Sequence, residues 1–381
     1  MSTGLDEMER ELVALAHEFA EKEIRPVAAA YDQSEEYPWD VLHKAADVGL
    51  TSYCFPEEYG GGGIHNLLVS ARIHEELGWG DAGIAEVIDT NSFSTGPILS
   101  MGSEEQKQRW IPPLCGPKPP TWAFAITEPG CGSDAAALTT NARKVDDGYV
   151  LNGSKIWTSN APVADFYTVF ATVAPGTRAK GITCFVVERG DAGFTMGKPL
   201  PKMGQRAFPA AELFFEDCFI RDDRRIGAEG QGFYGVMQWF EFVRTELAAT
   251  SVGIGRAALE VAVEYAKERK AFGRPIHEFE AVSFRLVDAK LKLDQARMMY
   301  EHAARLADAG KNYTVEAAAA KLTASEAAVF ATHAAMQTLA SYGYSREYPV
   351  ERWLRDAVLE EIQDGTSDIQ RLVIARSLFR Q

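Results

Sequence analysis

Gln363-Asp364-Gly365-Thr366-Ser367-Asp368-Ile369-Gln370-Arg371 sets a carboxylate beside a glycine and two hydroxyls, inside a C-terminal region whose pattern is otherwise helical and apolar. Glycine loosens the backbone, and Ser, Thr and Asp side chains bond to nearby peptide groups, so such a cluster interrupts helices. The stretch therefore marks the expected seat of chemistry on the chain, an acid carried on a turn. Working outward, long helical patterns start at about 233 and include the Ala-rich segment 314–342, with Thr314 as its N-cap and Gly343 as its stop.

Before residue 233 the texture differs. Prolines cluster at 112, 113, 117, 119 and 120, and β-rich runs follow at 149–151, 166–171, 181–187 and 212–219. Asp147-Gly148 and Asn152-Gly153 supply the chemistry that hairpin turns prefer, which predicts an antiparallel sheet or barrel. The first third is helical: Met8, Leu12, Leu15, Ala16 and Phe19 recur at helical spacing over 6–25, with Pro26 closing the pattern. Further helices are expected at 39–49 and 66–79, around the turn-rich run Pro56 to Gly63. The order helical, sheet, helical defines an α+β chain with domains at 1–120, 121–230 and 231–381.

Composition narrows the function. With 381 residues, 46% hydrophobic and 24% charged, the chain suits two or three packed units rather than a disordered or fibrous one. Its net charge of −15 opposes binding to a phosphate backbone, so nucleic acid is not the expected partner. Five widely spaced cysteines without a CxxC pair argue against a disulfide framework or a metal site. The N-terminus runs into Asp6, Glu7, Glu9 and Glu11 and shows no signal peptide, and no run is long enough to span a membrane. A cytoplasmic enzyme fits. Gly230-x-Gly232-x-x-Gly235 and Gly253-x-Gly255 follow no predicted strand and read as packing glycines rather than a dinucleotide fingerprint.

Four further segments carry information. Thr127-Glu128-Pro129-Gly130-Cys131-Gly132-Ser133-Asp134 joins hydroxyls, acids and glycines where the sheet begins, and Gly153-Ser154-Lys155-Ile156-Trp157-Thr158-Ser159-Asn160-Ala161 follows it. Arg269-Lys270-Ala271-Phe272-Gly273 offers a planar donor suited to phosphate, and Gln337 to Tyr344 ends the Ala-rich helix. Together with the segment 355–376, these resemble the acyl-CoA dehydrogenase family, flavoenzymes that desaturate acyl thioesters. The resemblance covers nearly the whole chain.

It implies a C-terminal four-helix bundle, FAD as cofactor, an acyl-CoA thioester as substrate, an electron-transfer flavoprotein as oxidant and a homotetramer. Metal, membrane and nucleic acid play no part in it. By motif position, Thr127 would bond the flavin ring and Ser133 would lie near the cofactor phosphates or the CoA arm. Trp157 would cover the flavin and Ser159 meet its N5. Arg269 and Phe272 would grip the pyrophosphate and adenine side, with Gln337 and Gly343 reaching FAD across a subunit interface. Thr366 and Asp368 would contribute to the flavin site; Glu241, Arg244 and Gly365 to the substrate site. Asp364 would be the base.

This chain departs from the family at informative points. Asp364 stands where most members carry glutamate, Gln363 where tyrosine is usual, and Ala340 and Ser341 replace two glycines. Val243 occupies the alternative base position. Because aspartate is one methylene shorter, and a misplacement of about 1 Å can cost on the order of 10²-fold, a branched or cyclic acyl group is expected. Two other outcomes are a changed reaction on the same fold, such as a nitroalkane-type oxidase or a dehydrogenase using Asp89 as base, and a non-catalytic acyl-CoA- or flavin-binding subunit. Asp89 reads otherwise as a helix cap.

Overall fold

In the computed structural model, residues 6–379 are described. The chain opens with α1 (Glu7–Phe19), α2 (Arg25–Ser34), α3 (Trp39–Asp47), α4 (Leu67–Gly80), α5 (Ala82–Met101) and α6 (Glu104–Trp110). Asp6 and Glu9 form a reciprocal capping box at the start of α1. Pro26 does not end the first helix as expected. A π-helical turn at Ala20–Ile24 separates α1 from α2, and Pro26 sits in the first turn of α2, where its missing N–H costs nothing.

The middle of the chain forms β1 (Trp122–Ala125), β2 (Asn141–Val145), β3 (Gly148–Ser159), β4 (Phe166–Thr172), β5 (Ile182–Glu188), β6 (Phe194–Met196), β7 (Ala210–Arg221) and β8 (Arg225–Ile226). The sheet runs β6-β7-β3-β2-β4-β5-β8, with β1 beside β4. Most pairs are antiparallel, but β1 lies parallel to β4. The β2–β3 hairpin turns one residue earlier than Asp147-Gly148, at Asp146-Asp147, with Gly148 already in β3 opposite Val145. Asn152-Gly153 instead lies within β3, at a register shift where Gly153 adopts φ 145.

The second helical part comprises α7 (Gly232–Glu268), α8 (Glu280–Asp308), α9 (Thr314–Leu339), α10 (Ser341–Tyr344), α11 (Val350–Glu360) and α12 (Ser367–Leu378). A small hairpin, β9 (Lys270–Ala271) and β10 (Arg274–Pro275), joins α7 to α8. The two helical parts share one core: Phe19, Ile73 and Leu77 pack with Val252, Leu293, Ala331 and Trp353. One face of the sheet closes on its own apolar cluster, and the other, through Phe124 and Phe170, meets Phe240 of α7. Small residues bring α4 and α7 together. A Cβ on Gly78 would sit 2.8 Å from the Thr250 carbonyl, and one on Gly253 would collide with the Glu75 carbonyl. Gly230 and Gly232 do follow a strand, the two-residue β8, but packing fills them: a Cβ on Gly232 would lie 2.9 Å from Cys184 N. All five cysteines are free.

The end of α9 departs from expectation. Thr314 is the first helical residue rather than the cap, and its hydroxyl donates to Glu241 at 2.7 Å. The helix stops at Leu339, before Gly343, because Ala340 turns left-handed at φ 54, ψ −125. An L-side chain there is strained by roughly 1–3 kcal/mol. Ala340→Gly is expected to raise stability by about 1 kcal/mol, seen as a higher urea midpoint with an unchanged slope.

Candidate active site

Between α11 and α12 the chain turns through Asp364 and Gly365, both left-handed at φ 48 and φ 98. Aspartate tolerates this region better than most residues. Glycine is favoured next to it because φ +98 strains any L side chain, and a Cβ there would also displace Gln370 Nε2, 2.6 Å away. Thr366 caps α12, its hydroxyl accepting from Ile369 N at 3.3 Å. The turn is held by its carbonyls. Lys321 Nζ and Gln370 Nε2 donate to Gly365 O at 3.0 and 2.7 Å, and Arg244 Nε reaches Asp364 O at 3.4 Å. The Asp364 carboxylate itself receives no hydrogen bond from any described residue. Burial pushes its pKa up, against the charges of Lys321 and Arg244.

Other acids lie in the same interior. Glu360 accepts from Gln205 Nε2 at 2.8 Å, Gln363 Nε2 at 3.1 Å and Ser251 Oγ at 3.3 Å. Burial, opposed by Lys321, lifts it to about 7. Asp89 lies in the middle of α5 and caps nothing. It faces His74 Nε2 at 3.4 Å, and His74 stands 3.5 Å from Glu246, which also accepts from Ser70. Ligand atoms of His74, Asp89 and Glu246 all lie within 4.8 Å of one another. Burial disfavours charge on His74, yet Glu246 and Asp89 hold its pKa at about 9. Burial raises Glu246 to about 7 despite His74. None of His74, Glu86, Glu246, Lys321 or Glu360 was flagged by motif. Their signal was a charge stranded in an apolar run, as in Ala82-Gly-Ile-Ala-Glu86-Val-Ile or the Ala-rich stretch around Lys321.

The expected cofactor residues fall into two places. Thr127 O accepts from Ile156 N at 3.0 Å, so the Thr127 loop and the β3 bulge are neighbours. At that bulge the register shifts between Lys155 and Thr158, Trp157 takes φ 58, and its indole is 58% exposed. Beside it the buried Thr158 Oγ1 has no partner. An uncovered indole on a strained bulge, with orphaned and exposed hydroxyls nearby, suits a flat aromatic ring with a hydrogen-bonding edge. Ser159 is part-buried and Ser133 exposed. Underneath, Lys155 is fully buried and donates to Glu128 Oε1 at 2.8 Å and Ile126 O at 3.1 Å, fixing the loop that bears Thr127. Burial opposes ionisation of Glu128, but Lys155 holds its pKa at about 2.

The second place is the α7–α8 connection. Arg269 is exposed, and Phe272, at φ 50 on the hairpin tip, is 96% exposed. Gln337 is also exposed, whereas Gly343 is buried, where a Cβ would lie 2.7 Å from Met336 O. Two expected contacts are otherwise engaged. Glu241 takes the Thr314 hydroxyl, and the exposed Asp368 meets Arg371 at 3.4 Å.

The chain matches the family models for the acyl-CoA dehydrogenase N-terminal domain over residues 6–117, the middle domain over 123–218 and the C-terminal domain over 230–379. It is 42% identical over 381 residues to the mitochondrial short-chain specific acyl-CoA dehydrogenase of Rattus norvegicus, covering 100% of this chain and 92% of the relative. Among solved structures, butyryl-CoA dehydrogenase from Megasphaera elsdenii superposes with a TM-score of 0.95 at 38% identity over 100% of both chains. A chain described under the electron transferring flavoprotein of Acidaminococcus fermentans does so at 0.96, also at 38% identity and 100% of both chains. Fold and site together define an FAD-dependent oxidoreductase acting on acyl thioesters. The protein belongs to the acyl-CoA dehydrogenase family.

Removing one member of the buried Lys155–Glu128 pair leaves an uncompensated charge. Lys155→Met should cost about 3–5 kcal/mol, read by chemical denaturation. In the unmodified protein the contribution of Glu128, whose folded pKa is depressed, is fully present above about 4.5 and declines as pH falls toward about 2.

Proposed function

We propose that Asp364 is the base that takes the α-proton of the acyl thioester, on one observation above others: its part-buried carboxylate accepts no hydrogen bond from any described residue. A carboxylate so placed has a raised pKa and is available to a C–H rather than to a donor. Bound FAD supplies the acceptor for the β-hydrogen. The proton goes to Asp364, the β-hydrogen leaves as hydride, and the Cα–Cβ bond becomes double, giving a 2-enoyl thioester. Lys321 and Arg244, bound to the carbonyls of residues 365 and 364, fix the turn and add positive charge beside the developing enolate. Asp89 is paired with His74, which argues against it as the base.

In the same reading, Thr127, Trp157, Ser159 and Thr366 serve the flavin ring, and Ser133 and Arg244 the CoA side. Arg269, Phe272 and Gln337 lie on exposed surface suited to a cofactor shared between subunits of a homotetramer. An electron-transfer flavoprotein is the proposed oxidant. The domain limits near 120 and 230 follow the change from helix to sheet and back. The branched or cyclic acyl group expected from Gln363 and Asp364 draws no support from the relatives, which act on short chains; a short acyl chain is the better proposal. No helix among the described residues is long and apolar enough to cross a membrane.

Anaerobic mixing of the yellow protein with butyryl-CoA should bleach the flavin, and Asp364→Asn should slow bleaching by about 10²–10⁴-fold. Because ionised Asp364 is disfavoured by burial, the same variant should unfold at a higher denaturant concentration, which separates loss of a base from loss of structure. Unchanged bleaching would exclude Asp364. The rate should fall on the acid side at a pH above the ordinary aspartate value of 3.8, since Asp364 must be ionised to act and its pKa is raised. Arg269→Ala should weaken FAD retention by about 10–100-fold, the worth of one charge-assisted hydrogen bond, and light scattering should give four times the 41.8 kDa chain mass.

A further inference from the structure

Glu86 lies on α5 one turn before Asp89, so both carboxylates emerge on one face of that helix. Glu86 is part-buried, yet no hydrogen bond or ion pair from any described residue reaches it. The positions either side locate it. One turn earlier, a Cβ on Gly83 would lie 3.1 Å from Gln205 Cα, and Gln205 Nε2 binds Glu360, which in turn receives Gln363 next to Asp364. One turn later stands Asp89 with His74 and Glu246. Glu86 is thus bracketed by the acids around the proposed base, and their charges, after burial itself, push its pKa well up.

The nearby cations are engaged with other groups. Lys321 and Arg244 donate to the carbonyls of the Asp364–Gly365 turn, His74 faces two carboxylates, and Lys202 Nζ donates to Gln205 O and Phe208 O at 2.8 and 2.6 Å. Among the described residues, the carboxylates of Glu86 and Asp364 and the buried Gln205 Oε1 accept no hydrogen bond. An apolar acyl chain entering here would leave each of them unmet, at the cost of burying unpaired polar groups. An ammonium brings three N–H donors and a positive charge in one compact group.

We infer that the acyl group of the substrate carries a positively charged nitrogen, which Glu86 receives beside the carboxylate of Asp364. This rests on the reading that Asp364 faces the thioester, and it sets the substrate class: an aminoacyl rather than a plain fatty acyl thioester. Glu86 is a specificity residue here and takes no part in proton or hydride transfer.

The test uses purified FAD-loaded protein under anaerobic conditions and two pairs of thioesters matched in size: β-alanyl-CoA against butyryl-CoA, and 6-aminohexanoyl-CoA against heptanoyl-CoA. In at least one pair, kcat/KM for flavin bleaching should be tenfold or more higher for the amino member. Glu86→Gln should lower that ratio at least tenfold, while its melting temperature and FAD content show that it is folded. Preference for the neutral member in both pairs overturns the inference, as does a ratio that Glu86→Gln leaves unchanged. If the neutral thioesters bleach the flavin and the amino ones do not, only the inference falls; if no thioester bleaches it, the proposed reaction falls with it. Should Glu86→Gln not fold, the ratio in the unmodified protein decides alone.

Discussion

Glu75 is the ion on which the helical framework depends. It is fully buried on α4 and receives Arg256 Nη1 of α7 at 2.7 Å, Arg297 Nε of α8 at 2.9 Å and the hydroxyl of Tyr300. Two guanidinium groups and a phenol satisfy a charge that would otherwise be costly in that interior; losing one partner of such a group typically costs about 3–5 kcal/mol. The arrangement also fixes where α4 crosses α7, a crossing close enough to need Gly78 and Gly253. Everything the site draws from those two helices follows from that placement: His74 beside Glu75, and Arg244 and Glu246 one to three turns before Gly253.

Set against Glu75, the acids facing the turn are conspicuous for what they lack. The same interior that supplies three donors to one carboxylate supplies none to Asp364 or Glu86. Nor is this neglect of the region, since Gly365 O alone takes two donors. Cations are spent on the backbone of the turn, which fixes a left-handed Asp364 in place and leaves its side chain free. A base needs both properties, a defined position and an unoccupied lone pair, and structural economy alone would favour neither. The Lys155–Glu128 pair has the opposite logic: there the charges meet each other directly, and what is held is the loop carrying Thr127.

How far the residues alone foretold this differs by feature. The helices expected at 6–25, 39–49 and 66–79 and the long ones after 233 are present, whereas α5, buried on most sides, offers no one-sided pattern and was not expected. The turn at 364–365 was legible for the same reason that it is conformationally special, glycine next to hydroxyls. Pro26 and Thr314 misled, because a proline in the first turn and a threonine at the first helical position satisfy the same local rules as a stop and a cap. Gly343 misled likewise: the break fell at Ala340, a residue with no intrinsic preference for positive φ, imposed by the packing around α9. The buried acids were illegible by motif. A Glu in an apolar helix has no local signature of its partners, and whether it is met by arginine, as Glu75 is, or left open, as Glu86 is, depends on residues more than a hundred positions away.

The shortened base and the open acid fit one chemical demand. Burial raises the pKa of Asp364 against the charges of Lys321 and Arg244, and so works against the ionised form that a base needs. A positive charge on the acyl group reverses that when it arrives: its field favours the ionised form of Asp364 and at the same time draws electrons from Cα, making the proton easier to remove. The acid group at 364 then needs less intrinsic basicity than one facing a plain hydrocarbon, and it must leave room for a charged, hydrogen-bonded neighbour. Aspartate, one methylene shorter than glutamate and flanked by Gln363 rather than an aromatic ring, provides that room. On this view the residue that departs from the family pattern, the proposed base, is matched to the charge proposed for the substrate.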